Sequence, residues 1–176
     1  SVFPRFYFLG NDDLLELLGR GVCLDILRPH LKKMFQAVDS VVFDEEGKSI
    51  ISIVSGAGEI VDLVDPVPLT SNVENWLNSL ASQQCSSLLQ SLHSALSFSS
   101  WDNPSQTLCL LENITFCRNV EDSLIAPHRS KLAALEELHL TKLSDLTTSL
   151  SSSTTDLLTK LKMKEVVLDL IHHRDV

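Results

Sequence analysis

The residues most suggestive of chemistry in this sequence are Gly47, Lys48 and Ser49, which match the end of a phosphate-binding loop. Such a loop needs a second glycine five residues before Gly47, because its main-chain N–H groups must approach the phosphates closely. Val42 occupies that position, and residues 44–46 are all acidic and would repel a nucleotide. The sequence therefore predicts a hairpin turn here, with no nucleotide or other cofactor bound by this chain.

No other group of residues in the sequence has the spacing of a catalytic or metal site. His172 and His173 are adjacent, so on a helix their side chains point about 100° apart and cannot easily share one ion. The sequence contains neither an HExxH nor a GxSxG motif. The four cysteines form no CxxC pair, and the spacing of Cys109 and Cys117 predicts small buried residues on one helix face. We therefore expect neither catalytic residues nor a metal.

Composition and charge limit the partners that the chain can take. The 176 residues carry a formal net charge of −9, which disfavours binding to the phosphate backbone of a nucleic acid. No apolar run reaches the roughly 20 residues of a membrane span, so we expect no membrane partner. Apolar residues form 44% of the chain, and it has only six Gly and six Pro, which favours a helical globular fold. The sequence begins in mid-pattern without Met, which indicates a piece of a longer protein.

Two short helices are predicted near the start of a first domain, residues 1–71. Residues 11–19 combine an Asn cap, early acids, an apolar stripe and a final Gly, which together predict a helix. A second helix is predicted from Pro29 to about Val38, because Pro is favoured in the first turn of a helix.

A small antiparallel meander of three strands is predicted to follow within about residues 40–65. The pattern consists of short β-branched runs separated by an acidic turn and a Gly-rich turn. Pro66 and Pro68 are predicted to end the third strand, since Pro cannot donate to a sheet ladder.

A second domain, residues 72–176, is predicted to be a helical bundle. Helices are expected to begin at Asn72, Ser105 and Asp156, with a break at residues 126–127 and a Ser/Thr-rich loop at about 147–155. Apolar steps of three and four predict the inward face of the first and last of these helices. The inward residues of the first are Leu77, Ala81, Cys85, Leu88, Leu92 and Leu96, and those of the last are Leu157, Leu161, Leu168 and Ile171. The predicted fold class is mainly α with a small antiparallel β meander.

A fixed order of aromatic and acidic residues in the segment 3–19 resembles the linker region of dynein heavy chains. The residues of this family motif, with two from the later phrase SNVENWLN, are Phe3, Pro4, Arg5, Phe6, Tyr7, Phe8, Asp12, Asp13, Trp76 and Leu77. The resemblance covers nearly the whole chain and weakens at residues 20–28 and 126–156. The phrases FLGNDDLLE, SNVENWLN and PSQTLCLLEN are most similar to the ciliary cytoplasmic dynein of retrograde intraflagellar transport.

The resemblance implies a mechanical part of a motor. In dyneins the linker is a mostly helical arm that lies across a ring of AAA+ modules and bends to give the power stroke. The ATP and Mg sites and the microtubule-binding stalk are then expected beyond Val176. The implied partners are the AAA+ ring and the rest of the heavy chain, in a dimer with light and intermediate chains on microtubules. The implied location is the cytoplasm, the cytoskeleton and the cilium.

The motif also carries a physical expectation about its aromatic rings. The run from Phe3 to Phe8 is predicted to bury several large rings and to fix the join between a preceding arm and this chain. Arg5 could stack on a ring or pair with Asp12 or Asp13, and the sequence leaves both open. Two other functions also remain open at this point: a free-standing helical adaptor, and a small hydrolase with a cleft that gathers His, Ser and acidic residues.

Overall fold

A computed structural model describes residues 3–19, 24–125 and 129–175. It confirms the predicted fold class, with six α-helices and a three-stranded antiparallel sheet among these residues. The helices are α1 (Asn11–Gly19), α2 (Leu24–Met34), α3 (Val73–Ser97), α4 (Ser105–Ile125), α5 (Arg129–Ser151) and α6 (Leu157–Asp175). The strands are β1 (Val38–Phe43), β2 (Ser49–Ser55) and β3 (Ile60–Pro68), and a 3₁₀ turn, η1, spans Pro4–Phe8. The predicted break at residues 126–127, Cys23 and the last residue of the predicted final helix lie outside the described residues.

The chain divides into two compact units, residues 1–89 and 90–176. The boundary between them falls within α3, after Leu89. The predicted domain boundary after residue 71 lies just before the start of α3. A division into domains at that point remains a prediction.

In the first unit, the sheet has the strand order β1-β2-β3, and its strands are longer than predicted. Pro66 and Pro68 were predicted to end the third strand, but both lie within β3. A proline is tolerated there because β3 is an edge strand, where a missing N–H removes no ladder bond on the open side. Side chains of α3 also cap this edge: Ser87 Oγ accepts from the N–H of Val64 at 2.9 Å, and Gln83 Oε1 accepts from the N–H of Asp65 at 3.2 Å.

The prediction for α2 was wrong at both ends. The helix begins at Leu24, with Pro29 inside it, and it ends at Met34. An interior proline removes one intrahelical hydrogen bond, and the helix continues around it at that cost. Ala37 adopts a positive φ of 65°, which turns the chain so that Val38 begins β1 instead of ending the helix.

Helix α3 begins as predicted, since Asn72 Oδ1 accepts from the N–H of Asn75 at 3.2 Å and so caps its first turn. Its buried face differs from the predicted stripe. Cys85 and Leu96 were predicted to face inward but are exposed. Leu77 and Leu92 are buried as predicted, and the other buried residues of this helix are Val73, Trp76, Leu80, Ser87 and Ala95. The hydroxyl of Ser87 is buried because it completes the hydrogen bonding of β3, a reason that hydrophobicity alone does not reveal.

The second unit contains α4, α5 and α6, and α4 has the predicted bounds. Its core consists of Leu108, Leu146, Met163, Val166 and Leu170. The inward face predicted for α6 was wrong, because Leu157, Leu168 and Ile171 are exposed. Lys162 is buried there, and its ammonium donates to the carbonyl oxygens of Trp101 at 3.0 Å and Asn103 at 2.8 Å.

The Ser/Thr-rich segment is mostly helical, in contrast to the predicted loop at 147–155. Helix α5 continues to Ser151, and hydroxyls such as that of Thr148 donate to carbonyl oxygens one turn earlier. The connection that remains ends at Asp156, whose Oδ2 accepts from the N–H of Thr159 at 2.9 Å and caps α6. Burial of Cys109 and Cys117 was also predicted wrongly, since Cys109 is half-buried and Cys117 is exposed.

Candidate functional site

The family motif forms a joint in the first unit, built around the buried ring of Phe3. This ring packs edge-to-face on Phe6, with ring centroids 5.1 Å apart, and lies 6.2 Å from the ring of Phe35 at the end of α2. Phe3 and Phe35 are 2% and 1% exposed. Aromatic pairs in this geometry stabilise beyond the area they bury, so the three rings fix η1 against α2.

A hydrogen bond ties the same residue to the first turn of α3. The main-chain N–H of Phe3 donates to Glu74 Oε1 at 2.7 Å. Trp76 and Leu77, one turn further along α3, belong to the same buried core as Phe3. The segment before α1 and the start of α3 are therefore held together by both a charge-assisted hydrogen bond and apolar packing.

Arg5 resolves the alternatives that the sequence left open. Its guanidinium lies 4.5 Å from the centroid of the Phe35 ring, in the position of a cation–π contact. One of its nitrogens donates to the carbonyl oxygen of Met34 at 3.3 Å, which satisfies a group at the end of α2. Arg5 therefore stacks on a ring and closes the C-terminus of α2, and neither Asp12 nor Asp13 is the partner in these contacts.

The two acids of the motif lie in the first turn of α1, as predicted. Asp13 pairs with Lys33 of α2, with Oδ2 and Nζ 2.5 Å apart, and also accepts from the N–H of Gly10 at 3.3 Å. The hydrogen bond from Lys33 lowers the pKa of Asp13 below its ordinary value of 3.8. Asp12 is exposed, and its negative charge stabilises α1 by interacting with the positive end of the helix dipole.

Only part of the aromatic run is buried, in contrast to the prediction. Tyr7 is 83% exposed and Phe8 is 68% exposed, while Pro4 opens η1 and Phe6 packs partly against the core. In a 3₁₀ turn successive side chains point in different directions, so a run of five residues cannot place all its rings on one side.

His30 lies beside the joint and was not singled out by the sequence. It is buried on α2, with Nδ1 3.7 Å from Asp13 Oδ1 and Nε2 3.6 Å from Glu16 Oε2. Neither ring nitrogen has a hydrogen-bond partner among the described residues. A lone His has no spacing signal, so only the packing of α1 on α2 reveals this contact.

The segment Gly47–Ser49 forms the predicted hairpin turn between β1 and β2. Asp44 Oδ1 accepts from the N–H groups of Lys48 at 2.7 Å and Ser49 at 3.2 Å, which are the groups that a phosphate would need. Lys48 Nζ lies 2.7 Å from Glu46 Oε2. The N–H of Gly47 donates to the carbonyl oxygen of Asp44, so all three N–H groups of Gly47–Ser49 are satisfied by Asp44.

Three aromatic rings cluster in the second unit, at positions that no sequence motif marks. Phe116 of α4 stacks on His173 of α6, with centroids 4.1 Å apart and an interplanar angle of 1°, and His139 of α5 lies 5.5 Å from Phe116. The three residues are far apart in sequence and share no motif, so only the packing of the helices brings them together.

Within residues 3–19, 24–125 and 129–175, no group of three or more His, Cys, Asp or Glu residues has the arrangement of a metal site. None of the helices described in those ranges is both long enough and apolar enough to span a membrane.

Comparison with known proteins agrees with the motif. Residues 1–95 match the family profile "Dynein heavy chain, N-terminal region 2". The chain is 40% identical to cytoplasmic dynein 2 heavy chain 1 of Homo sapiens and 37% identical to that of Chlamydomonas reinhardtii, in alignments that cover all of this chain. It is 27% identical to dynein axonemal heavy chain 6 of Homo sapiens, over 99% of this chain.

The chain belongs to the dynein heavy chain family. It is similar to the cytoplasmic dynein 2 members of that family along its whole length. The chain spans about 4% of the length of these relatives, so it corresponds to a small part of a heavy chain.

Proposed function

We propose that this chain is a non-catalytic part of the linker of a dynein motor, the lever that bends and docks on the AAA+ ring to produce the power stroke for retrograde intraflagellar transport. The observation that carries the proposal is the joint at Phe3, where the family motif is fastened to the first turn of α3. A part that transmits force needs its ends joined to rigid elements, and this joint combines ring packing with a charge-assisted hydrogen bond.

The helices supply elements of the length that a lever requires. Helix α3 has 25 residues and is therefore about 37 Å long. In the first unit it packs through Trp76, Leu77 and Leu80 into the core that also holds the sheet. A helix packed along one face against a sheet resists bending more than an isolated helix, because bending separates close-packed side chains.

In this proposal the chemistry takes place elsewhere in the heavy chain. ATP and Mg are bound by the AAA+ ring, and this chain binds no cofactor. Its direct partners are the ring and the remainder of the same heavy chain, which acts as a dimer with dynein light and intermediate chains on microtubules. The motor works in the cytoplasm and the cilium, and neither nucleic acid nor membrane is a partner. The self-satisfied turn at Gly47–Ser49 supports the absence of nucleotide here.

The test is to soften α3 without touching its buried face. Ser82 and Ser86 are exposed on this helix in the first unit, and Asn78 is half-buried, with its Nδ2 donating to the carbonyl oxygen of Glu74 one turn earlier at 3.0 Å. Replacing all three with Gly costs about 1 kcal/mol of helix stability per site relative to Ala. The matched control replaces the same three residues with Ala, which removes the same side chains but keeps the helix stiff.

In a dynein heavy chain that contains this sequence, we expect the triple Gly variant to slow microtubule gliding several-fold while ATP turnover persists. The triple Ala variant should glide at nearly the normal speed. Both proteins must first elute and melt like the parent, so that unfolding is not mistaken for softening. Equal gliding speeds of the Gly and Ala variants would contradict a lever role for α3, and loss of ATP turnover in both would point to a catalytic role.

A further inference from the structure

The ring cluster of the second unit borders a cavity among α4, α5 and α6. The cavity has a volume of about 320 Å³, and its walls are mainly apolar, including Leu135, Leu143 and Leu170. Phe116, His139 and His173 all face it. This volume is near the lower end of the range for small-molecule sites, so it suits one or two fused rings.

The hydrogen bond between His173 and Asn113 shows which ring nitrogen of His173 carries the proton. Asn113 Nδ2 donates to the carbonyl oxygen of Cys109 at 2.8 Å, which leaves Asn113 Oδ1 as an acceptor. His173 Nε2, 2.9 Å from this oxygen, therefore carries the N–H, and Nδ1 is an acceptor in the neutral form of the ring. That Nδ1 is buried and has no partner among the described residues.

His139 presents a second acceptor. Among the described residues its ring contacts Phe116 and His173, and no hydrogen bond to its nitrogens is present within those ranges. Burial lowers the pKa of His139 below its ordinary value of 6.5, so the imidazole is neutral at pH 7.5 and keeps one nitrogen lone pair. The neutral ring of His139 and the ring of His173 therefore border a mainly apolar cavity, whose lining also includes the charged side chains of Glu136 and Arg174.

We propose that this cavity binds a small, neutral, planar aromatic molecule carrying one N–H or O–H donor, which stacks near Phe116 and donates to the imidazole of His139. The site belongs to the second unit and does not depend on the lever role of the chain. The lining carries one carboxylate, Glu136, and one guanidinium, Arg174, so its formal charge is balanced and does not favour an anion. A purely apolar molecule would make no hydrogen bond to the imidazole of His139, which has no such partner among the described residues.

The test compares two probes that differ in a single donor, indole and 1-methylindole. Both are titrated into the full 176-residue chain at pH 7.5, and binding is followed by the ¹⁵N and ¹H shifts of the histidine side chains. We expect saturable one-to-one binding of indole, and binding of 1-methylindole that is roughly fivefold weaker, since one hydrogen bond is lost. The shifts of His139 should move, whereas those of the exposed His172 should not.

Three variants make the result specific. His139→Leu should remove the preference for indole over 1-methylindole, while the matched substitution His93→Leu, at an exposed position of α3, should keep it. Leu135→Trp should fill the cavity and abolish binding of both probes. Equal affinity for the two probes, an unchanged preference in His139→Leu, or the absence of saturable binding in a folded protein would each overturn the proposal.

Discussion

The main-chain N–H of Phe3 donates to the carboxylate of Glu74 at 2.7 Å, across 71 residues of sequence. This bond joins the start of the family motif to the first turn of α3. Because Glu74 also lies at the positive end of the helix dipole, one carboxylate both stabilises α3 and holds the motif in place.

We expect Glu74→Ala to lower the free energy of unfolding by about 1–2 kcal/mol, through the lost hydrogen bond and the lost charge at the helix start. Glu74→Gln keeps an acceptor oxygen at the same distance and should recover about half of this loss. Urea denaturation of the three proteins measures the difference. If the Ala variant were as stable as the parent, the bond would contribute nothing to the joint.

The contact between Arg5 and Phe35 predicts an energetic coupling. In a double-mutant cycle with Arg5→Met and Phe35→Leu, the coupling free energy should be about 0.5–1 kcal/mol, because the guanidinium lies over the ring face. Arg5→Met combined with Lys48→Ala, on the β1–β2 turn, should give additive effects. Additivity in the Arg5 and Phe35 cycle would contradict a cation–π contact in solution.

The β1–β2 turn should not bind nucleotide. Asp44 accepts the N–H groups of Lys48 and Ser49; its burial acts to raise its pKa, but these hydrogen bonds outweigh that effect and lower the pKa below 3.8. The carboxylate is therefore ionised at neutral pH and repels phosphates. Calorimetry with ATP and Mg²⁺ should give only heats of dilution. Micromolar binding that Lys48→Ala weakens would show that the turn is a phosphate site after all.

Because the pKa of His139 is lowered in the folded chain, we expect the free energy of unfolding to decrease in mild acid. Its pKa is lowered mainly by burial and further by His173 and Lys142, against an opposing effect of Glu112. As the pH falls, the unfolded chain therefore takes up a proton at His139 before the folded chain does. The contribution of His139 to the free energy of unfolding is fully present above about pH 6.5 and decreases below that pH. The unfolding free energy of His139→Gln, measured by urea between pH 8 and 5, should fall less steeply than that of the parent. Parallel curves would contradict the prediction.

Sequence patterns located most elements of this chain, but they placed the buried faces poorly. The Asn cap at Asn72 fixed the start of α3, because capping is a local hydrogen bond between residues three apart. The face of α3 that is buried depends on the sheet, since Ser87 is turned inward to satisfy Val64. In a Leu-rich helix many apolar residues lie on every side, so periodicity alone cannot identify the buried face.

The candidate sites also divide into features that local sequence patterns reveal and features that only tertiary packing sets. The sequence by itself determined the family, through the ordered residues of segment 3–19, and the acids before Gly47 predicted a hairpin turn in place of a phosphate loop. Only the tertiary structure decided that Arg5 stacks on Phe35, that Phe3 bonds to Glu74, and that Phe116, His139 and His173 border one cavity. Local hydrogen bonds and backbone preferences act between near neighbours and leave a trace in sequence order. Contacts between distant residues depend on how whole helices pack, and no short pattern records that.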